Sequence, residues 1–322
     1  MKAIQVPQCG GAEVLTLVDI PTPKPKPNEV LVKIAAAGVN FIDCYFREGR
    51  YPAKPPFILG QEASGAISEV GSDVKDFKPG DRVAYTGISG AYAEYQAVPA
   101  ERLVRLPAGI TDHQAAAAML QGMTAQYLTH TTYPLKKGDI ALIHAAAGGV
   151  GLLLVQMAKN LGARVIGTVS TEEKAKLARE AGADDVIFYT KQDFEVETKR
   201  LTEGKGVHVV YDGVGKTTFD QGLNVLRPRG YFVLFGASSG APPPLDLGQL
   251  TIKGSLFVTR PSLAHHLASH DELQERAADV LGMIESGKLK LRIEHLYPLA
   301  DAQRAHRDLE GRKTTGKLLL IP

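Results

Sequence analysis

Eight residues near the middle of the chain, HAAAGGVG from His144 to Gly151, can bind a phosphate without a charged side chain. Gly148 and Gly151 fall at the second and third glycine places of a G-x-G-x-x-G loop, with Ala146 at the first. Lacking a Cβ, Gly148 lets a pyrophosphate approach the backbone, and Gly151 lets a helix lie close on a strand. Gly148, Gly149, Val150 and Gly151 then open a helix whose free N–H groups and positive dipole end face the anion. The alternative is an ordinary strand-to-helix turn. Apolar DIALIHA (Asp139–Ala145) runs into the loop and helical LLLVQMAKNLG follows it, which is the setting that a dinucleotide loop requires.

The choice of nucleotide falls to the end of the next strand, where an Asp or Glu holds the ribose 2′-hydroxyl of NAD. This chain reads RVIGTVSTEEKAK there, and the acid is missing. Ser170 and Thr171 can hydrogen-bond a 2′-phosphate and Lys174, one turn later, can neutralise it, so NADPH is the expected cofactor. Lys174 also reads as a solvated helix cation, its field blunted by Glu172 and Glu173.

Elements at a regular spacing must carry these residues. Asp139–Ala145, Ala163–Val169, Asp184–Tyr189, Val207–Val214 and Gly230–Gly236 are apolar strand candidates separated by helical segments, and Ile252–Arg260 makes a sixth. Alternation of this kind gives a parallel sheet with helices on both faces. The first 110 or so residues differ. Glu29–Val39, Ala63–Gly71, Asp81–Thr86 and Ala93–Pro107 read as strands between turns such as PTPKPKPN (Pro21–Asn28), a pattern expected of an antiparallel barrel or sandwich. Thr111–Leu120 reads as a helix capped by Thr111 or Asp112. Two further helical patterns, Asp271–Gly287 and Asp301–Gly311, and a closing strand KLLLIP make a tail expected to return to the first domain. The boundaries read are 1–120, 121–262 and 263–322.

With 322 residues the chain is long enough for two cores. Lys and Arg number 37 against 35 Asp and Glu, interspersed, which argues against a nucleic-acid binder. Two cysteines exclude a disulfide framework and a Cys-rich zinc site. Ile140–Ala158 is long enough to span a bilayer, but His144, Gln156 and its glycines suit a buried strand–turn–helix better. The N-terminal MKAIQVPQCG lacks signal-peptide character, so the cytoplasm is expected.

The run GD-x2-L-x3-AAGGVG-x4-Q-x2-K, Gly138 to Lys159, resembles the signature of the quinone oxidoreductases, the zinc-independent, zeta-crystallin-like branch of the medium-chain dehydrogenase/reductase superfamily. Gly38–Pro52, Leu59–Gly65, Val210–Gly215, Phe235–Gly240, Phe257–Ser262 and Asp301–His306 are similar to segments of its bacterial members, so the likeness covers nearly the whole chain. The resemblance implies an α/β architecture: a Rossmann domain with a doubly wound parallel sheet, plus a GroES-like β-barrel domain built from both chain ends. It also implies a cleft at their junction and a homodimer.

Zinc alcohol dehydrogenases of the same superfamily hold a catalytic ion with a Cys in G-x-C-x-x-D and a His in G-H-E. Here the matching places are Asn40 and Gln61, and amides do not replace thiolate and imidazole on zinc. No metal is therefore expected. A quinone accepts hydride or electrons from a nicotinamide without a Lewis acid, provided the two are held close. By resemblance, Tyr45 and Tyr51 donate to a quinone oxygen while Asn40 and Gln61 orient ring or acceptor. The tyrosines also fit as plain pocket walls. The resemblance places Asp43 in local geometry or cofactor binding, Tyr127 near the nicotinamide and Tyr189 near adenine. It puts Gly213, Gly236 and Ser238 at strand ends facing the crevice, and Phe257, Val258 and Thr259 beside the nicotinamide amide. Arg312 reads as an adenosine-phosphate ligand or a surface ion-pair residue.

Three functions follow in order. The first is an NADPH-dependent quinone reductase. The second is an NADPH-dependent reductase of α,β-unsaturated aldehydes or ketones. The third is a non-enzymatic NADPH-binding or RNA-contact protein.

Overall fold

A computed structural model describes residues 1–322. In chain order the elements are β1 (Lys2–Val6), β2 (Thr16–Asp19), β3 (Glu29–Val39), α1 (Phe41–Arg47), β4 (Phe57–Ile58), β5 (Glu62–Val70), β6 (Arg82–Thr86), β7 (Tyr95–Pro99), β8 (Val104–Arg105) and α2 (Asp112–Tyr127). Next come β9 (Ile140–Ile143), α3 (Gly149–Asn160), β10 (Arg164–Val169), α4 (Glu172–Glu180), β11 (Asp185–Phe188), α5 (Phe194–Leu201), β12 (Val207–Asp212), α6 (Phe219–Asn224), β13 (Leu226–Leu234), α7 (Gly248–Ile252) and β14 (Phe257–Thr259). The chain closes with α8 (His270–Glu285), β15 (Ile293–Pro298), α9 (Ala302–Glu310) and β16 (Lys317–Ile321). It forms two compact units, one of Met1–Met123 with His266–Pro322 and the other of Thr124–His265.

The second unit is a six-stranded sheet in the order β11-β10-β9-β12-β13-β14, every pair parallel. In chain order that is 3-2-1-4-5-6, the doubly wound arrangement that places ligands at the carboxyl ends of the strands. Leu142, Ile166, Ile187, Val210 and Phe232 form its core. Strands covered on both faces need apolar residues on both, which is why β9 and β12 read as continuous apolar runs.

The first unit holds a seven-stranded sheet, β15-β16-β3-β5-β6-β8 with β7 also on β3, and a three-stranded sheet β2-β1-β4. β16 pairs antiparallel with β3, Leu318 opposite Val39, so the last residues complete a sheet begun by the first. Ile34, Val39, Tyr85, Tyr92, Leu318 and Leu320 lie in its core.

Local differences from the sequence reading have local causes. The strand expected over Ala93–Pro107 is two short strands around a 3₁₀ turn at Ala100–Arg102, broken after Pro99, which has no N–H for a ladder. The strand expected over Ile252–Arg260 is shorter. Ile252 ends α7, Gly254 (φ +114°) and Ser255 (φ +55°) turn the chain, and only Phe257–Thr259 pairs. The helix from Thr111 continues to Tyr127 and into a π-helical turn at Leu128–Thr132. β15 and β16 are parallel, joined through α9, so the sheet is not wholly antiparallel. No helix is long and apolar enough to cross a membrane.

Candidate active site

Along the carboxyl edge of the parallel sheet the connecting turns carry most of the expected nucleotide residues. After β9 the chain passes His144 and Ala145 (φ +52°) and enters α3 with Gly148 as N-cap, with no side-chain cap. The first-turn N–H groups of such a helix point outward for an anion. A Cβ on Gly148 would meet only the Ala145 carbonyl, at 3.2 Å, whereas one on Gly151 would stand 2.2 Å from the same oxygen. Gly148 therefore leaves open space in front of the helix, and Gly151 is demanded by packing. This donor set, backbone N–H beside a cradle that a Cβ would fill, fits a dinucleotide pyrophosphate.

Ser170 and Thr171 follow β10, half-buried and exposed respectively. The Thr171 hydroxyl caps α4 by accepting from Lys174 N at 3.3 Å. With Glu173's own backbone N–H, it also holds the Glu173 carboxyl below its usual range. Thr171 is thus engaged as the cap of α4. Tyr189 is 40% exposed just past β11. Gly213 follows β12; Gly236 and Ser238 follow β13, and Ser238 N donates to the Gly213 carbonyl at 3.1 Å. Phe257, Val258 and Thr259 are β14 itself, with Phe257 stacked on Tyr231 at 4.5 Å between ring centres. Tyr127 is buried at the end of α2.

The other candidates lie in the first unit, around α1. Tyr45 and Tyr51 meet edge to face at 5.5 Å, with Phe41 6.4 Å from Tyr45, Phe46 5.6 Å from Tyr51, and the Arg50 guanidinium 5.4 Å from the Tyr45 ring. Beneath this aromatic face is a buried polar chain. Asp43 Oδ2 accepts from Asn40 N at 2.8 Å and from the Tyr92 hydroxyl at 3.0 Å. Tyr92 meets His306 Nε2 at 3.2 Å, and His306 Nδ1 meets Arg47 at 2.9 Å. Arg47 closes the chain with a bidentate pair to Glu310, at 3.1 and 2.7 Å. Burial pushes the Asp43 carboxyl up to about 7, and burial with the Arg47 charge pushes His306 down to about 3.

Two family models match the chain, the alcohol dehydrogenase GroES-like domain over residues 26–108 and the zinc-binding dehydrogenase family over 149–273. A quinone oxidoreductase of Pseudomonas aeruginosa is 48% identical over 100% of this chain and 99% of its own length. The chain belongs to the quinone oxidoreductase family. The crystal structure of the Escherichia coli quinone oxidoreductase complexed with NADPH superposes with a TM-score of 0.98 at 47% identity, covering all of both chains. A 2-haloacrylate reductase of Burkholderia is 42% identical over 97% of this chain and 96% of its own length.

Within this quinone oxidoreductase fold, the two amides at the zinc-ligand places have different surroundings. The Asn40 carboxamide is committed. Oδ1 accepts from Lys317 at 2.8 Å and Gln121 at 3.1 Å, and Nδ2 donates to Glu62 at 2.9 Å. Gln61 is also buried, and its backbone carbonyl, not its carboxamide, accepts from the Thr86 hydroxyl at 3.1 Å and from Gly87 N at 2.8 Å. No three His, Cys, Asp or Glu side chains converge as they would on a metal.

The structure bears on two expectations. Asp43 is 0% exposed with its bonded oxygen turned to Asn40 and Tyr92, which suits the local-geometry role expected of it. Asn40 is 3% exposed, hydrogen-bonded at both ends of its amide, and stands at the start of α1. Arg312 is exposed just past α9, in a different unit from the glycine loop. Sequence reasoning missed Lys317, Glu62 and His306 as one buried system. It also missed Asp212, whose carboxylate accepts from Val214 N at 2.6 Å, Gly215 N at 3.1 Å and the Thr218 hydroxyl at 2.7 Å. An Asp ahead of Gly-Val-Gly at a strand end signals such a turn.

Proposed function

We propose that this chain is an NADPH-dependent quinone oxidoreductase that works without a metal ion. The observation that carries the reading is the uncapped α3 N-terminus behind Gly148, followed by a β10 end with hydroxyls and no acid, in a chain 48% identical to a quinone oxidoreductase along its whole length. When bound, NADPH supplies the reducing equivalent as a hydride or electrons. The N–H groups of Gly149, Val150 and Gly151 would hold the pyrophosphate, and Ser170 with Lys174 would take the 2′-phosphate. Gly213, Gly236, Ser238 and β14 would border the cofactor along the sheet edge, with Tyr127 and Tyr189 as further contacts. Tyr45 and Tyr51, with Gln61, face the quinone, and a phenol hydroxyl donates to its oxygen as charge develops there.

Following NADPH absorbance against a panel of quinones, with NADH in parallel, tests this. Quinone-dependent oxidation of NADPH by protein without bound metal is the expected result, and no turnover of any quinone overturns it. Rapid turnover of enones alone would favour the second reading, a reductase of activated double bonds, which the 42% identity to a 2-haloacrylate reductase supports.

The working form is a homodimer. β14 ends the six-stranded sheet with its outer edge unpaired, and Leu247, Ile252 and Phe257 nearby are 72%, 78% and 49% exposed. An open edge beside apolar side chains is a pairing surface for a second chain. Free thiols at Cys9 and Cys44 suit a reducing cytoplasm.

A further inference from the structure

A buried ion pair in the first unit takes no part in the reading above. Lys317, the first residue of β16, is 2% exposed, and Glu62, the first residue of β5, is 0% exposed. The ammonium lies 2.5 Å from Glu62 Oε2 and donates to Asn40 Oδ1 at 2.8 Å. Asn40 Nδ2 returns to the same carboxylate oxygen at 2.9 Å, closing a triangle. The other carboxylate oxygen accepts from Leu120 N at 2.5 Å, an N–H that in regular helix goes to the residue four places earlier. The side chain thus enters the ladder of α2. Gly38 leaves room for it, since a Cβ there would stand 2.1 Å from Glu62 Oε2 and 2.7 Å from the Ala116 carbonyl.

Four elements therefore converge on one carboxylate: the β3–α1 junction, β5, α2 and β16. A buried ion pair is poor value as stabilisation, because desolvation offsets most of its attraction, and apolar residues of similar volume do as well. Its distinct capacity is to specify one geometry. Asn40 is the residue from which α1 starts, and Tyr45 lies on that helix, with Tyr51 packed against it.

We infer that Lys317 and Glu62 are positioning residues for the quinone site. By locking the Asn40 carboxamide they set the direction of α1 and so the place of the Tyr45 and Tyr51 hydroxyls. The inference rests on the reading that those tyrosines meet the quinone.

The test compares Lys317→Met, Lys317→Arg and the double variant Glu62→Gln/Lys317→Met with the wild type. In Lys317→Met the quinone KM rises about tenfold, while kcat changes less than about threefold. NADPH affinity, read from nucleotide fluorescence, stays within about twofold. Hydrogen exchange of the α1 amides speeds up about tenfold or more, while β9 and β10 keep their protection. The double variant, free of a lone buried charge, regains the melting temperature but neither KM nor exchange protection. Lys317→Arg, which keeps the cation, recovers part of both. A double variant with wild-type KM and α1 exchange overturns the inference, as does a KM change with unaltered α1 exchange. Should the wild type reduce no quinone, the proposed function fails while α1 exchange still reports the positioning.

Discussion

The guanidinium of Arg47 reaches Nδ1 of His306 at 2.9 Å and fixes the tautomer of a ring buried in the first unit. A guanidinium can only donate, so Nδ1 accepts and Nε2 carries the proton. Nε2 then donates to the Tyr92 oxygen at 3.2 Å, and the Tyr92 O–H is turned to Asp43 at 3.0 Å. The hydrogen bonds run one way, from Glu310-paired Arg47 inward to Asp43, and tie α9 to α1.

His306 makes the protein sensitive to acid. Its folded pKa of about 3 lies below the ordinary 6.5, so the unfolded chain binds the extra proton first. Stability falls as pH drops from 6.5 toward 3, by at most ~5 kcal/mol at ~1.4 kcal/mol per pH unit. His306→Gln should flatten this limb in urea titrations at several pH values. A variant curve parallel to the wild type would refute the assignment.

Asp43 acts in the opposite sense. Its folded pKa of about 7 lies above the ordinary 3.8, so the folded protein holds a proton that the unfolded chain has lost. That stabilisation is complete below about 4 and disappears as pH rises through 7, a loss of at most ~4 kcal/mol. Asp43→Asn should lose less stability than the wild type between pH 5 and 8, measured by the same titrations. A steeper variant slope would count against it.

The two loop glycines should separate binding from folding. Gly148→Ala places a methyl in the anion cradle 3.2 Å from the Ala145 carbonyl, a tight contact but far milder than at Gly151, and should weaken NADPH at least about tenfold, ~1.4 kcal/mol, with a smaller change in melting temperature than Gly151→Ala. Gly151→Ala forces a 2.2 Å contact with the Ala145 carbonyl and should lower the melting temperature itself. Equal effects of both on both readouts would show the loop to be structural only.

Cofactor preference should depend on Lys174 more than on Thr171. Lys174→Ala should lower NADPH affinity about tenfold and leave NADH unchanged, since only the former carries the 2′-phosphate. Thr171→Ala removes a helix cap and should destabilise by about 1 kcal/mol. Titration with both nucleotides decides; a Lys174→Ala protein with its NADPH preference intact would place phosphate recognition elsewhere.

The β14 edge gives an assembly test. Leu247→Asp with Ile252→Asp should shift a dimer to monomer in sedimentation velocity, because a buried unpaired carboxylate is costly. Unchanged sedimentation of a dimer would move the interface to another face.

The sequence alone determined the parallel-sheet unit, the glycine loop, the acid-free β10 end and the two amides at the zinc-ligand places. Strand and helix periods, glycine conformations and missing side chains are local properties, written within a few residues. Tertiary structure alone decided that Lys317 and Glu62, 255 positions apart, are one ion pair, and that His306 lies against Arg47 and Tyr92. In sequence a lone Lys, Glu or His looks like surface. The pairing of β16 with β3, the approach of β5 and α2, and the packing of α9 on α1 exclude water from these groups, and that exclusion turns ordinary charges into fixed geometry.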